Sequence, residues 1–134
     1  IINEKNFWSI KGSHDGYLSK YGVIHERIIE YYPEKNIIIG KDILLKKNNF
    51  KSSNFEIRFH LMPETKVTKT QDNKSVLIEL ENSGWRFFSN HGHIGIETGL
   101  YFGNKNTYKE NQNIFISGVT QKDEQIVEWE LSKI

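Results

Sequence analysis

Two pairs of side chains near the start of the sequence combine groups that can transfer protons or bind anions. His14 and Tyr17 flank Asp15-Gly16, a dipeptide typical of turns, and residues 12–16 are expected to form a loop. A tyrosine can transfer protons when nearby positive charge lowers its pKa from about 10. The alternative is a purely structural turn with Tyr17 packed over it. The stretch is therefore a candidate for one rim of a substrate cleft.

His25 and Arg27 form the second pair. They are two residues apart, which in a strand places both side chains on one face and Glu26 on the other. Such a pair can line a groove and contact acidic sugars, or it can belong to a solvated face. With His14 and Tyr17, these residues make up the predicted cleft rim.

Tryptophans offer another chemistry, because sugar rings stack on indole. Trp129 alternates with Glu128 and Glu130 in an apolar strand pattern, which predicts a core position. Trp8 and Trp85 are the candidates for an exposed carbohydrate platform.

His91-Gly92-His93 has the i, i+2 spacing that puts two imidazoles on one strand face, a pattern used by metal ligands. A complete site needs a third ligand, for which His14, Asp15, His25 and His60 are available. The alternative is a polar loop between strands. We predict no metal site in this chain.

Composition excludes several classes of function. The chain has 18 basic and 17 acidic residues and a net charge of +1, so the basic excess typical of nucleic-acid binders is missing. It contains no cysteine and therefore no thiolate chemistry. No apolar run reaches the roughly 18 residues of a membrane span. No phosphate-binding glycine loop, GxSxG or HExxH motif is present, so no cofactor is expected.

Strands must position these groups. In residues 55–61 the apolar side chains Phe55, Ile57, Phe59 and Leu61 alternate with polar ones, the pattern of a strand with one buried face. Pro63 then ends the strand. The chain has no alanine and is rich in β-branched and aromatic residues, which suits pleated sheets.

Similar patterns along the chain predict about ten short strands. Residues 37–39 and 43–45 are expected to form a hairpin or one bulged strand around Gly40-Lys41-Asp42. The segment around Val67 is expected at a sheet edge, and residues 103–113 are expected to form a polar loop. The fold class is therefore all-β, an antiparallel β-sandwich.

One domain is expected over residues 1–134, since this length holds one core. The chain starts at Ile1 rather than Met, which favours an excised or processed piece of a larger protein; the resemblance described below implies that this piece is a C-terminal fragment.

Several stretches, in this order, resemble the C-terminal β-sandwich of heparinase II/III-like proteins. They are His14-Asp15-Gly16-Tyr17, residues 22–27, residues 39–43, residues 56–63, Gly84-Trp85-Arg86-Phe87, residues 96–103, residues 112–116 and Val127-Glu128-Trp129. No single motif is decisive, but the series covers nearly the whole chain.

The resemblance implies a parent that is a bacterial polysaccharide lyase, in which an α/α-toroid precedes the sandwich. Such enzymes cleave uronate-containing polymers by β-elimination. The expected partners are that toroid and an acidic polysaccharide, with no nucleic acid or membrane. The expected location is the bacterial periplasm or cell envelope.

The family's catalytic Tyr and Asn belong to the toroid, and its His-x-His-x-Asp motif and metal ligands precede the region matched here. The sequence His91-Gly92-His93 does not match that motif, because Ile94 and Gly95 follow it. No catalytic residue is therefore assigned, although the parent can hold a structural divalent metal. The alternatives are a free-standing carbohydrate-binding module and a structural or oligomerisation sandwich.

Overall fold

The structure is a computed structural model that describes residues 2–4, 7–14, 23–46, 54–104, 107–120 and 124–134. Side chains are described for residues 9–12, 24–46, 54–100, 109–120 and 124–134. These residues form eleven strands: β1 (Ile2–Glu4), β2 (Phe7–His14), β3 (Val23–Tyr32), β4 (Ile37–Lys46), β5 (Asn54–His60), β6 (Lys66–Lys69), β7 (Ser75–Glu79), β8 (Gly84–Ser89), β9 (His93–Asn104), β10 (Thr107–Val119) and β11 (Glu124–Lys133). A single 3₁₀ turn, Pro33–Lys35, joins β3 to β4.

The strands make two antiparallel sheets packed as a sandwich, which confirms the predicted fold class. The larger sheet has the order β1-β2-β3-β4-β11-β8-β7-β6, and the smaller has the order β5-β10-β9. As predicted, β6 with Val67 lies at an edge of the larger sheet.

The core lies between the sheets and is formed by alternating side chains from both. The smaller sheet contributes the buried residues Ile57, Ile94, Ile114 and Ile116, and the larger contributes Val76, Ile78, Phe87, Val127 and Trp129. Phe59 of β5 reaches across, with its ring centroid 4.9 Å from those of both Phe87 and Trp129. This packing confirms the core position predicted for Trp129.

Three local predictions need correction. Of the two arrangements expected for residues 37–45, a hairpin or one bulged strand, the structure has the single strand, β4, but no bulge, because β4 pairs with β3 and β11 without a shift in register. The expected loop at residues 103–113 overlaps the long strands β9 and β10, which pair with each other. Strand β2 extends to His14, so residues 12–14 are in a strand rather than a loop.

Candidate functional site

A fully buried carboxylate lies in contact with two of the candidate residues that the sequence analysis identified in the first part of the chain. Asp42 lies in the middle of β4, opposite Arg27 of β3 and Val127 of β11, and its side chain has no exposed surface. Alternation along β4 places it on the same face as Gly40 and Leu44, which points into the sandwich.

Three side chains converge on this carboxylate. Nε2 of His25 lies 2.6 Å from Oδ1 of Asp42, and Nε of Arg27 donates to the same oxygen at 2.7 Å. Nε1 of Trp129 donates to Oδ2 at 2.8 Å. Because an ionised carboxylate only accepts hydrogen bonds, its pairing with His25 requires a proton on Nε2. Strands β3, β4 and β11 therefore share one buried polar centre.

The charge of Asp42 depends on opposing effects. Burial acts to raise the pKa of Asp42, and it is the largest single effect. The hydrogen bonds from His25, Arg27 and Trp129, with the positive charge of Arg27, outweigh it and hold the pKa below its ordinary value. Asp42 is therefore an ionised anchor, and with three donors on its two oxygens it is poorly suited to be a general base.

Arg27 connects this centre to the smaller sheet and to solvent. Its guanidinium carbon lies 5.2 Å from the ring centroid of Phe59 in β5, within cation–π range. The side chain of Arg27 keeps 34% of its surface exposed, and that of His25 keeps 23%. The arrangement holds a cation in a fixed place, half inside the sandwich, and can present its outer edge to an anion.

The other predicted rim residues are only partly described. The backbone of His14 pairs with that of His25, so β2 brings the two positions side by side. The side chain of His14 lies outside the described part of the chain, as does the whole of Tyr17. The structure thus brings together His25 and Arg27, with His14 adjacent in the sheet.

The two platform candidates occupy different surroundings. Trp85 is half-buried against the core, and its Nε1 donates to Oγ of Ser83 at 3.1 Å. The backbone of Trp8 pairs with Tyr31 in β2–β3, while the side chain of Trp8 lies outside the described residues.

His91 and His93 do not share a strand face, so of the two alternatives the geometry matches the loop rather than the pair of metal ligands. His93 begins β9, whereas His91 lies in the preceding bend, and Gly92 between them has φ 70°. In the described part of the chain, no three His, Asp or Glu side chains gather closely enough to hold a metal ion. The described residues alone therefore do not fit the divalent metal that the resemblance allows in a parent protein.

Sequence reasoning missed Asp42 as the centre of the site. It assigned Gly40-Lys41-Asp42 to a turn or bulge because glycine and aspartate are common in turns. The available signal was the period of two, which continues through Ile38, Gly40, Asp42 and Leu44 and puts a carboxylate on an apolar face. A buried charge in that position requires partners, and His25 and Arg27 are the basic residues of the neighbouring strand.

In the described residues, no helix is long and apolar enough to cross a membrane.

Comparisons with known proteins agree with this architecture. Heparan sulfate lyase HepC from Pedobacter heparinus has a similar fold, with a TM-score of 0.82 at 10% identity over 98% of this chain and 20% of its own. A structure described as heparinase III gives a TM-score of 0.76 at 11% identity, over 99% of this chain and 20% of its own. This chain thus spans about a fifth of the length of these solved neighbours.

No curated protein sequence matches the chain. The family model described as "Heparinase II/III-like, C-terminal" matches residues 2–130, which is nearly the whole sequence. The chain therefore belongs to the heparinase II/III-like C-terminal family.

Proposed function

We propose that this chain is the C-terminal sandwich of a bacterial polysaccharide lyase that cleaves uronate-containing polymers by β-elimination. The observation that carries the proposal is the family match over residues 2–130, together with a fold that covers only a fifth of two larger chains, one described as a heparan sulfate lyase and the other as heparinase III. The sandwich would brace the α/α-toroid of the same polypeptide, in the periplasm or cell envelope.

The proposed reaction needs groups that the described residues do not bring together. A base removes the proton at C5 of the uronate, the C4–O bond breaks, and its electron pair leaves with the oxygen while a double bond forms between C4 and C5. An acid supplies a proton to the departing oxygen. The negative charge of the uronate carboxylate must also be neutralised, because this makes the C5 proton more acidic. Asp42 is held ionised by three donors, so it fits neither proton-transfer role, and we assign no catalytic residue to this chain.

A binding contribution at the cleft rim is the role we assign to Arg27 and His25. The polymer carries carboxylate or sulfate groups, and Arg27 is a cation whose position is fixed by Asp42 on one side and by the ring of Phe59 on the other. A guanidinium held in place loses little conformational entropy when it pairs with such an anion. His14 and Tyr17 complete the proposed rim.

Product formation tests the assignment to a lyase. The 134-residue chain and the longer natural polypeptide would each be incubated with heparan sulfate, alginate and a neutral glycan, and unsaturated chain ends would be followed by ultraviolet absorbance. We expect the longer polypeptide to produce them from at least one uronate polymer and the chain alone to produce none. Unsaturated ends from the chain alone, or none from the longer polypeptide, would contradict the proposal.

Calorimetric titration of the chain with the same glycans distinguishes the proposed function from two alternatives, a carbohydrate-binding module and a structural or oligomerisation sandwich. A free-standing carbohydrate-binding module would release heat and change tryptophan fluorescence, and the half-buried Trp85 with its bonded N–H is poorly placed for that role. A structural or oligomerisation sandwich would give no heat and would self-associate in light scattering. We expect neither strong glycan binding nor self-association from the chain alone.

Kinetics of Arg27→Gln in the longer polypeptide test the rim. We expect KM for the acidic polymer to rise several-fold with kcat nearly unchanged, because the lost contact is made equally in the ground and transition states. The matched control is Arg58→Gln, since Arg58 lies on the outer face of β5 and pairs with Glu56 and Glu97. An unchanged KM in Arg27→Gln would show that Arg27 does not bind the polymer at the cleft rim, and it would not affect the assignment of the longer polypeptide as a lyase.

A further inference from the structure

Strand β4 carries aliphatic side chains on both of its faces. Residues 37–39 are three consecutive isoleucines, and residues 43–45 are an isoleucine followed by two leucines. Strand β5, by contrast, alternates the charged residues Glu56 and Arg58 with apolar ones. Alternation is typical of an antiparallel strand with one solvated face, whereas uninterrupted apolar runs are typical of strands that are covered on both faces. The sequence of β4 therefore indicates a second covering layer, on the side away from the smaller sheet.

The outward side chains of β4 belong to a larger aliphatic patch. Ile24 of β3 lies opposite Leu45, and Ile126 of β11 lies opposite Ile43, so both neighbouring strands extend the patch. Val127, next to Ile126, points into the core instead, because side chains alternate between the two faces of a sheet. We call the patch the outer aliphatic face, and it consists of Ile24, Ile28, Ile37, Ile39, Ile43, Leu45 and Ile126.

The middle of the outer aliphatic face is open to solvent. Lys41 and Glu128 lie opposite each other there, and their side chains keep 45% and 53% of their surface exposed. Ile126 is 37% exposed, whereas Val127 is 0% exposed. Single exposed aliphatic residues are normal on a protein surface, but a contiguous apolar patch marks an interaction surface.

The charges on this side of the sheet are mainly negative. Strands β3, β4 and β11 place five glutamates there against one lysine, Lys41, and the neighbouring strands add Lys11 and Arg86. The five are Glu26, Glu30, Glu124, Glu128 and Glu130. Lys11 and Lys41 each lie 3.9 Å from one of these carboxylates. A surface that complements this face is therefore apolar and carries basic residues.

We propose that the outer aliphatic face binds the rest of the longer polypeptide, through an apolar surface of that polypeptide that carries lysine or arginine. The inference rests on the proposed function, because it takes this chain to be the C-terminal sandwich of a longer protein. Arg27 and His25 lie on the opposite side of the larger sheet, so the proposed cleft rim stays accessible when the outer aliphatic face is covered.

The size of the face favours a tethered partner over a second copy of this chain. Three strands about 4.8 Å apart, each contributing about nine residues, give a face of roughly 15 by 25 Å. Covering it buries about 400 Å² on each side, and the total of about 800 Å² is within the range of about 600–1,500 Å² for domains of one chain. Separate chains that associate specifically bury about 1,200–2,000 Å².

The solved neighbours contain enough additional polypeptide to supply such a tethered surface. This chain covers 20% of each of them, so about four-fifths of each neighbouring chain lies outside the matched region. A surface on the same polypeptide has a high effective concentration, which compensates for a small contact area.

Lysine acetylation followed by mass spectrometry tests the proposal, with the 134-residue chain and the longer natural polypeptide each labelled in the folded state. We expect the reactivity of Lys41 to fall several-fold in the longer polypeptide, because its side chain becomes covered. Lys109 is the matched control, since it lies on the smaller sheet and, like Lys41, is 3.9 Å from a glutamate. Unchanged reactivity of Lys41, whether or not Lys109 is protected, would overturn the proposal.

The labelling also separates this inference from its alternatives. If the reactivity of Lys41 falls as the concentration of the isolated chain is raised, the face binds a second copy and the proposal is wrong. The readout does not depend on turnover. Lyase activity without protection of Lys41 would refute this inference alone, and protection without activity would refute only the proposed function.

Two matched substitutions give an independent outcome. Ile126→Arg places a positive charge against the proposed basic surface, whereas Leu77→Arg places one on the outer side of β7, and both residues are 37% exposed. In the longer polypeptide, we expect Ile126→Arg to restore the reactivity of Lys41 to its level in the isolated chain, and Leu77→Arg to leave Lys41 protected. Protection that survives Ile126→Arg would contradict the proposal. If Ile126→Arg does not fold, labelling of the unmodified polypeptide decides.

Discussion

Asp42 links three strands, because donors from β3 and β11 bind its carboxylate in β4. We expect Asp42→Ala to lower the free energy of unfolding by about 3–5 kcal/mol, since it leaves the charge of Arg27 without its buried partner. Urea unfolding followed by tryptophan fluorescence measures the change.

The matched control for Asp42→Ala is Glu128→Gln in the adjacent strand. Glu128 is exposed and lies 3.9 Å from Nζ of Lys41, an ion pair of the kind that contributes about 0–1 kcal/mol. A loss in Asp42→Ala no larger than that in Glu128→Gln would show that the buried cluster is energetically unimportant.

Lowering the pH should reduce the contribution of Asp42 to the free energy of unfolding. The pKa of Asp42 is lowered in the folded state, so its ionised form stabilises the fold fully above the unfolded-state pKa of about 3.9. That stabilisation is lost as pH falls through the lower, folded-state pKa. Because protonated Asp resembles Asn, the stability difference between the unmodified chain and Asp42→Asn should shrink as pH falls below about 4. Urea midpoints measured across this range check it, and a difference independent of pH would contradict the lowered pKa.

At the residue scale, the sequence predicted apolar positions better than polar ones. Trp129 was correctly placed in the core because its neighbours Val127 and Leu131 share its face by period two. The partners of Asp42 were not predictable, because pairing between β4 and β3 or β11 depends on sheet order and register. His25 and Arg27 were correctly separated from Glu26, although nothing in the sequence showed that they bond to Asp42.

At the element scale, β4 depends on a close approach between Gly40 and Trp129. The two residues are directly opposite in the β4–β11 pair, and a Cβ at Gly40 would lie 2.1 Å from Cε2 and Cζ2 of the indole. Gly40→Ala must therefore displace the ring, which also weakens the Trp129 bond to Asp42. We expect a loss of about 1–3 kcal/mol in the free energy of unfolding.

Gly12→Ala is the matched control for Gly40→Ala, since Gly12 is also in a strand of the larger sheet and has open space at its Cβ position. We expect its stability to stay within about 0.5 kcal/mol of the unmodified chain. Urea unfolding of both variants tests the pair, and equal losses would show that the contact with the indole does not account for the cost at Gly40.

The polar first half of β10 shows where element prediction failed. Residues 107–113 are mostly polar and were assigned to a loop, yet they pair with β9 in register apart from one irregularity near Thr107. A two-stranded hairpin satisfies its backbone hydrogen bonds locally, so its outer part needs little apolar surface on either face. Apolar alternation is therefore confined to the part of β10 that covers the core, with Ile114 and Ile116, and is missing from its polar half.

At the scale of the whole molecule, both sheets share one core, which Phe59, Phe87 and Trp129 link directly. We therefore expect a single cooperative unfolding transition. Far-ultraviolet circular dichroism and tryptophan fluorescence should give coincident urea curves. Two separated transitions would show that part of the sandwich unfolds independently of the rest.

The sandwich was predictable from composition and strand patterns, whereas the strand order was not. Consecutive strands usually pair, and β1 to β4 follow that rule along one side of the larger sheet. Strand β11, however, lies between β4 and β8, which are distant from it in sequence. Local sequence contains no information about that insertion, which is why the site at Asp42 could not be assembled in advance.

The central position of β11 has a consequence for synthesis on the ribosome. Asp42 and Trp129 are 87 residues apart, and β11 alone joins the β1–β4 half of its sheet to the β8–β6 half. Until residues 124–133 have left the exit tunnel, β4 and β8 each present an unpaired edge to neighbouring nascent chains. A ribosome stalled shortly before that point would hold two half-sheets that are not hydrogen-bonded to a common strand. Such a state is prone to aggregation and to capture by chaperones.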